Sequence, residues 1–311
     1  MDVTKNSGKQ VIILRQSGGR LGNQLLLYAS VYAFCLEYNY KCINYTLYNY
    51  DDYFEKSNRD KFTKLVGIFS KLKLYHTHRD YFIVYQIYRF LTYLYSFFKS
   101  GIVIKEDPQA TIYLPPTDDK NRSHKKLIEN ITKSKHRIFY IDGWSFRNPV
   151  GLKKYHKKIV DLLKPKQYTI NRVESFINPL KRKYHLIGVH IRQGEYKSKK
   201  FMGGEWYFNE KEVAGILKTY IEKNHKDPNK AMFIICSDEP VNLDYFKGLN
   251  VIRGIGSMME DIVTLSKCNL IIGSNSTFGS FAAYFGNIPF FIFDRGKKYV
   301  PAKSENLFQN F

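Results

Sequence analysis

The 311-residue chain carries 49 lysines and arginines against 28 aspartates and glutamates, a formal charge of +21. With 44% hydrophobic and 16% aromatic residues it is too apolar for a disordered basic tail, and its length suits one large or two ordinary domains. So large a cationic surplus implies an anionic partner, whether nucleic acid, an acidic membrane surface or a phosphorylated ligand.

Residues 11–14 form a short apolar run, followed by Ser17-Gly18-Gly19-Arg20-Leu21-Gly22-Asn23-Gln24 and a helical stretch over 25–38. Strand, glycine-rich turn and helix are the opening of a dinucleotide-fold half-domain, where a ligand can approach backbone N–H groups. Residues 50–135 are rich in Lys, Tyr and Phe, with a long helix expected over 79–98 and a polar stretch at 108–123. A strand at 139–142 ends in Gly143-Trp144, and a basic helix over 151–163 is closed by Lys164-Pro165-Lys166. Beyond it, apolar strands at 186–191, 232–236, 251–252, 270–273 and 289–293 alternate with helices over 211–222, 259–268 and 279–285. This alternation predicts parallel sheets, with polar residues gathered directly after the strands, where open α/β sheets bind ligands.

Several chemistries fall away. Cys35, Cys42, Cys236 and Cys268 show no CxxC or His/Cys ligand spacing, so no structural zinc is expected, and the two inside apolar runs read as reduced core thiols. Residues 81–98 are interrupted by Gln86 and Arg89 and are heavy in tyrosine, which suits a bilayer span poorly. The opening MDVTKNSGKQVIILR lacks a signal-peptide core. No DxD or DxE occurs, so a metal-independent mechanism is favoured. No GxSxG, HExxH or Cys–His nucleophile signature is present.

Four segments carry polar residues of the right kind. In His190-Ile-Arg192-Gln-Gly194-Glu195-Tyr196, an arginine just beyond a buried strand suits phosphate oxygens, and Gly194 keeps the turn open. A local Arg192–Glu195 pair is an equal alternative. His190 is a strand histidine and no obvious general base. Asp238, in Ser237-Asp238-Glu239, can accept from the N–H edge of guanine or simply cap a helix. Ser274, Asn275, Ser276 and Thr277, four polar residues where a cap needs one, open a helix whose free amides make an anion site, and Phe278 can stack on a base or staple the helix. Gly22, Asn23 and Gln24 stand at the first helix start, where Asn23 and Gln24 can bond a sugar or phosphate and Asn23 can also cap. Glu205, Asp142 and Glu37 are conceivable bases, none favoured over the others.

The order GGRLGNQLLLYA, HIRQGEY, FIICSDE and DIVTLSKCNLIIGSNSTFGSFAAYF resembles the α-1,2-fucosyltransferases of glycosyltransferase family 11, which have GGLGNQ, HIRRGDY, a strand ending in SDD, and MSxC…SNSSFSWWAA. It covers residues 17–40 and 138–285 and fades across 50–135. The related protein O-fucosyltransferases have GRFGNQ, similar to residues 19–24 with Arg20 included. The resemblance implies an α/β protein of the GT-B fold, two Rossmann-like domains facing across a cleft. It implies GDP-β-L-fucose as donor, inversion at the anomeric carbon, and no metal or other cofactor. Arg192 would bind the β-phosphate and stabilise the departing GDP, and His190 would line the nucleotide pocket. Asp238 would read guanine, Ser276, Thr277 and Phe278 would hold diphosphate and ribose, and Asn23 would sit beside the transferred sugar. Gln193 stands where the family has a second arginine, Glu195 where it has aspartate, and Ser280-Phe281 where it has two tryptophans.

The expected division is 1–170 on the acceptor side and 171–311 on the nucleotide-sugar side, with a boundary in 165–184. The expected partners are a nucleotide sugar and a glycan, the 2-OH of a terminal galactose being the leading acceptor and a lipid-linked glycan suiting an aromatic, basic face at 60–101. Nucleic acid would use the lysine clusters at 153–158, 181–183 and 197–200, but no recognition signature accompanies them. A cytoplasmic enzyme, at most peripheral to the inner membrane face, is expected. Asn44, Asn121 and Asn130 are sequon positions.

Overall fold

A computed structural model describes residues 10–16, 19–44, 46–55, 102–105, 131–134, 136–143, 146–200, 202–224 and 227–295, with positions 90, 93, 94, 97 and 129. Most of the helix expected over 79–98, the polar stretch 108–123, Ser17, Gly18, Trp144, Asn121 and Asn130 lie outside them. The chain divides into two compact units, Met1–Lys164 and Pro165–Phe311. Among the described residues no helix is long and apolar enough to cross a membrane.

The first unit is built on a parallel sheet of order β2-β1-β4-β3, formed by β1 (Val11–Gln16), β2 (Lys41–Asn44), β3 (Ile102–Lys105) and β4 (Ile138–Asp142). Helix α1 (Leu21–Glu37) joins β1 to β2 and is buried along almost its whole length. Its run of Leu, Ala, Val and Phe is apolar all round, as a helix covered on more than one side requires. Two short helices cover it, α2 (Pro149–Lys154) and α3 (His156–Leu162), where a single basic helix was expected. Tyr155, at φ −108° and ψ 18°, breaks the run between them. Asn148 caps α2 by accepting from Gly151 N and donates to Glu37 Oε2 at 2.9 Å, tying α2 to the end of α1.

The second unit opens with α4 (Gln167–Lys181), inside the stretch read as a boundary. Val173 and Ile177 are fully buried on its inner face, which packs on β5 (His185–Ile191). There follow α5 (Glu210–Lys223), β6 (Ala231–Ser237), β7 (Val251–Arg253), α6 (Met258–Ser266), β8 (Leu270–Gly273), α7 (Thr277–Gly286) and β9 (Phe290–Ile292). The strands form a parallel sheet of order β7-β6-β5-β8-β9. Ion pairs Arg172–Glu260 (3.1 Å) and Lys267–Glu174 (2.7 Å) link α4 to α6 and the residue after it.

Strand alternation decides which side chains reach the site. Ile187, Val189 and Ile191 face α5, where they pack with Val213 and Leu217. Leu186, Gly188 and His190 face the opposite side, where Leu186 packs with Ile177 and Cys268. A Cβ on Gly188 would lie 2.7 Å from Leu265 Cδ2, so the missing side chain is what lets α6 sit so low on the sheet. From β5 the chain moves outward one way to β6 and β7, then returns to β8 on the other side. The carboxyl ends of β5 and β8 are therefore a topological switch point, the place where open α/β sheets leave a crevice.

Candidate functional site

The ends of β5 and β8 are joined by side-chain and backbone bonds beyond the ladder. Ser274 N donates to His190 O, and Arg192 N donates to Ser274 Oγ, both at 2.9 Å. Ser274, fully buried, thus fixes where the chain leaves both strands.

Arg192 follows directly. Its Nη2 meets Glu195 Oε1 at 2.5 Å and its Nη1 meets Asp238 Oδ2 at 2.9 Å. The local Arg192–Glu195 pair anticipated from sequence is present, with Asp238 added to it. Asp238 Oδ1 also accepts from Gln193 N at 2.7 Å. Asp238 is therefore no helix cap; the 3₁₀ turn Leu243–Phe246 is capped by Asn242. Gly194 has φ +23°, and a Cβ there would sit 2.8 Å from Asp238 Oδ2, so glycine is what admits the carboxylate. Two carboxylates hold one guanidinium, which presents five N–H donors in a planar fork, so donors remain for a further anion.

Next to this pair begins α7. Ser276 caps it by accepting from Phe278 N at 3.2 Å, and Thr277 opens the first turn. First-turn amides have no partner within their own helix and carry the positive end of its dipole. Asn275 precedes the cap, and its carbonyl accepts from Tyr196 Oη at 2.8 Å. The Phe278 ring stacks on His190, centroids 5.0 Å apart and planes at 22°. His190 is buried with Nδ1 unpartnered, and burial, helped by the Arg192 cation, pushes its pKa down to about 3. The imidazole is neutral and poor at accepting a proton, in keeping with its reading as no general base.

His190, Arg192, Gly194, Asp238, Asn275, Ser276, Thr277 and Phe278 thus share one edge of the second unit. Gly22, Asn23 and Gln24 belong to the first unit and stand inside the first turn of α1, which begins at Leu21 rather than 25. Arg20 is its N-cap residue, without a side-chain cap bond, so Asn23 does not cap. Asn23 instead folds over Gly19 (φ +74°), where a Cβ would lie 2.1 Å from its Nδ2. Gln24 Nε2 donates to Gly19 O at 3.3 Å, leaving its buried Oε1 unpartnered. Of the three carboxylates considered as bases, Glu37 ends α1 and is bonded to Asn148, and Glu205 precedes α5. Asp142 ends β4 and pairs in register with Gln16, at the switch point of the first sheet.

Two residues escaped the sequence reading. Asp261, in the first turn of α6, is buried against Cys236 and accepts from Gly256 N at 3.1 Å. Burial raises its pKa to about 6, against the hydrogen bonds from Gly256 and Cys236. In sequence it looks like any acidic residue after a Ser cap. Tyr196 lies in a segment that draws attention for His190, Arg192, Gly194 and Glu195, and it carries no signal of its own. All four cysteines are free thiols.

Glycosyl transferase family 11 is the family whose profile matches, over residues 129–288, more than half of the chain. No curated protein sequence matches. Among solved structures, NodZ of Bradyrhizobium, an α-1,6-fucosyltransferase co-crystallised with GDP, is similar at a TM-score of 0.54 and 15% identity, with 93% of this chain and 96% of that one covered. FUT1 of Arabidopsis thaliana in complex with GDP gives 0.55 at 13% identity, covering 95% and 73%. POFUT1 in complex with GDP-fucose gives 0.50 at 9% identity, covering 94% and 99%. At these identities the likeness is one of fold, the GT-B type, in agreement with the two Rossmann-like units expected from sequence.

Proposed function

The chain belongs to glycosyl transferase family 11, and from that premise we propose that it moves L-fucose from GDP-β-L-fucose, with inversion, to a sugar hydroxyl, the 2-OH of a terminal galactose. The observation that carries the donor half of this reading is Arg192, fixed by Glu195 and Asp238 beside the N-terminus of α7. A guanidinium and a helix N-terminus on one strand edge suit the two phosphates of a nucleoside diphosphate. NodZ with GDP and POFUT1 with GDP-fucose give the fold a precedent for that ligand.

Arg192 takes the β-phosphate, and the α7 amides with Ser276 and Thr277 take the rest of the diphosphate. His190 and Phe278, already stacked, line the nucleoside side, and Asn275 and Gly194 shape the turns around it. Asp238, which meets Gln193 N and the Arg192 guanidinium, is the carboxylate assigned to the guanine N–H edge. Gly22, Asn23 and Gln24 serve the sugar side. As the acceptor hydroxyl attacks the fucose anomeric carbon and gives up its proton to water, the bond to the β-phosphate oxygen breaks and negative charge grows on GDP. Arg192 and the α7 dipole are set in place to meet that charge, without need of a divalent ion.

The test is a transfer assay with GDP-fucose and a panel of galactosides, with product linkage read by NMR. Fucose should appear α-linked at the galactose 2-OH, and Arg192→Ala should lower the rate about 100-fold or more. An α-1,6 product or a peptide-linked product would overturn the acceptor assignment alone. Turnover of another nucleotide sugar in place of GDP-fucose would overturn the donor.

A further inference from the structure

Tyr196 has no task in the reaction as described, yet it touches both halves of the diphosphate cradle. It is buried, and its hydroxyl donates to Asn275 O at 2.8 Å, one residue before the cap of α7. The Arg192 guanidinium carbon lies 5.9 Å from its ring centroid. Trp206 meets the ring edge-on, also at 5.9 Å. Ser274 pins the 274–278 turn to β5 on one side. Tyr196 pins it to the 3₁₀ turn Gly194–Lys197 on the other.

We propose that Tyr196 is a positioning residue that sets the spacing between the Arg192 guanidinium and the N-terminus of α7, and so the fit of a diphosphate across them. The proposal rests on the assignment of this edge to GDP-fucose. Burial raises the phenol pKa to about 12, so the hydroxyl keeps its proton and remains a donor at any working pH. A ligand with two phosphates must engage both elements at once and feels their separation. A monophosphate engages one and does not.

Calorimetric titration of the whole protein with GDP and GMP tests this. Tyr196→Phe keeps the ring and its contact with Trp206 while removing the hydroxyl and its bonds to Asn275 O and the Ser276 side chain. It should weaken GDP about tenfold, about 1.4 kcal/mol, and leave GMP within about twofold. In an Arg192→Ala background the Tyr196→Phe effect on GDP should vanish, because the distance being held no longer matters. Trp206→Leu, which loosens the ring but keeps the hydroxyl, should show the same GDP-selective loss. Equal loss of GDP and GMP would mean a general structural role and would overturn the proposal, as would no loss at all. If the unaltered protein binds GMP and GDP equally well, the diphosphate assignment fails first and the proposal with it.

Discussion

His190 and Arg192 stand two residues apart on one side of β5, and the cation of one helps to decide the state of the other. With a folded pKa of about 3 against an ordinary 6.5, His190 takes up a proton only on unfolding over most of that range. Stability contributed by the neutral form is full above about pH 6.5 and is lost as pH falls toward 3. Asp261 acts in the opposite sense, since burial lifts its pKa from 3.8 to about 6. The folded protein then holds the extra proton, and stability declines as pH rises from about 4 to about 6. The two slopes oppose each other, so single variants are needed to separate them. In denaturant unfolding from pH 4 to 8, His190→Gln should flatten the loss on acidification, and Asp261→Asn should gain most at pH 7 and above. Variants whose curves run parallel to the unaltered protein would contradict both assignments.

Elements were legible to different degrees, for physical reasons. Strands 186–191, 232–236 and 270–273 are continuous apolar runs, as buried parallel strands must be, and they are found within a residue or two. Helix α1 begins four residues earlier than its pattern suggested, because glycine at 22 and polar residues at 23 and 24 look like loop while Gln24 is in fact buried. Helix α4 lies in the 165–184 stretch where the sequence suggests only a boundary, although Thr169, Val173 and Ile177 repeat at i, i+4; Pro165, Asn178 and Pro179 mask that signal. The four polar segments were found because each follows a strand. Ser274 is legible only as part of the polar run before α7; its bond to the Arg192 amide, 82 residues away in sequence, leaves no local signal.

Helix packing yields its own test. A Cβ at Gly286, the last residue of α7, would lie 2.1 Å from Ser266 O at the end of α6. The obstacle is backbone, so the helices must part to admit it. Gly286→Ala should destabilise by about 1–3 kcal/mol. Gly215, exposed within α5, meets nothing within 4 Å. Gly215→Ala should stabilise by up to about 1 kcal/mol through helix propensity. Equal effects of the two in thermal or urea unfolding would contradict this account of close α6–α7 packing.

Across the whole molecule, the surplus of +21 turns out to have little to do with the diphosphate edge. Among the described residues Arg192 is the arginine at that edge, and it is held by two carboxylates. Lys197, from one of the clusters weighed as a nucleic-acid patch, is paired with Glu239, and Lys154 and Lys158, from another, lie over the Tyr155 ring. The second unit gathers every residue proposed to hold the nucleotide, while Gly22, Asn23 and Gln24 and, at that sheet's own switch point, Asp142 belong to the first. The most direct test is a crystal structure of the protein grown with GDP. The account predicts the β-phosphate within hydrogen-bond distance of the Arg192 guanidinium and the diphosphate against the first-turn amides of α7. GDP bound elsewhere, or with Arg192 still turned wholly to Glu195 and Asp238 and making no phosphate contact, would contradict it.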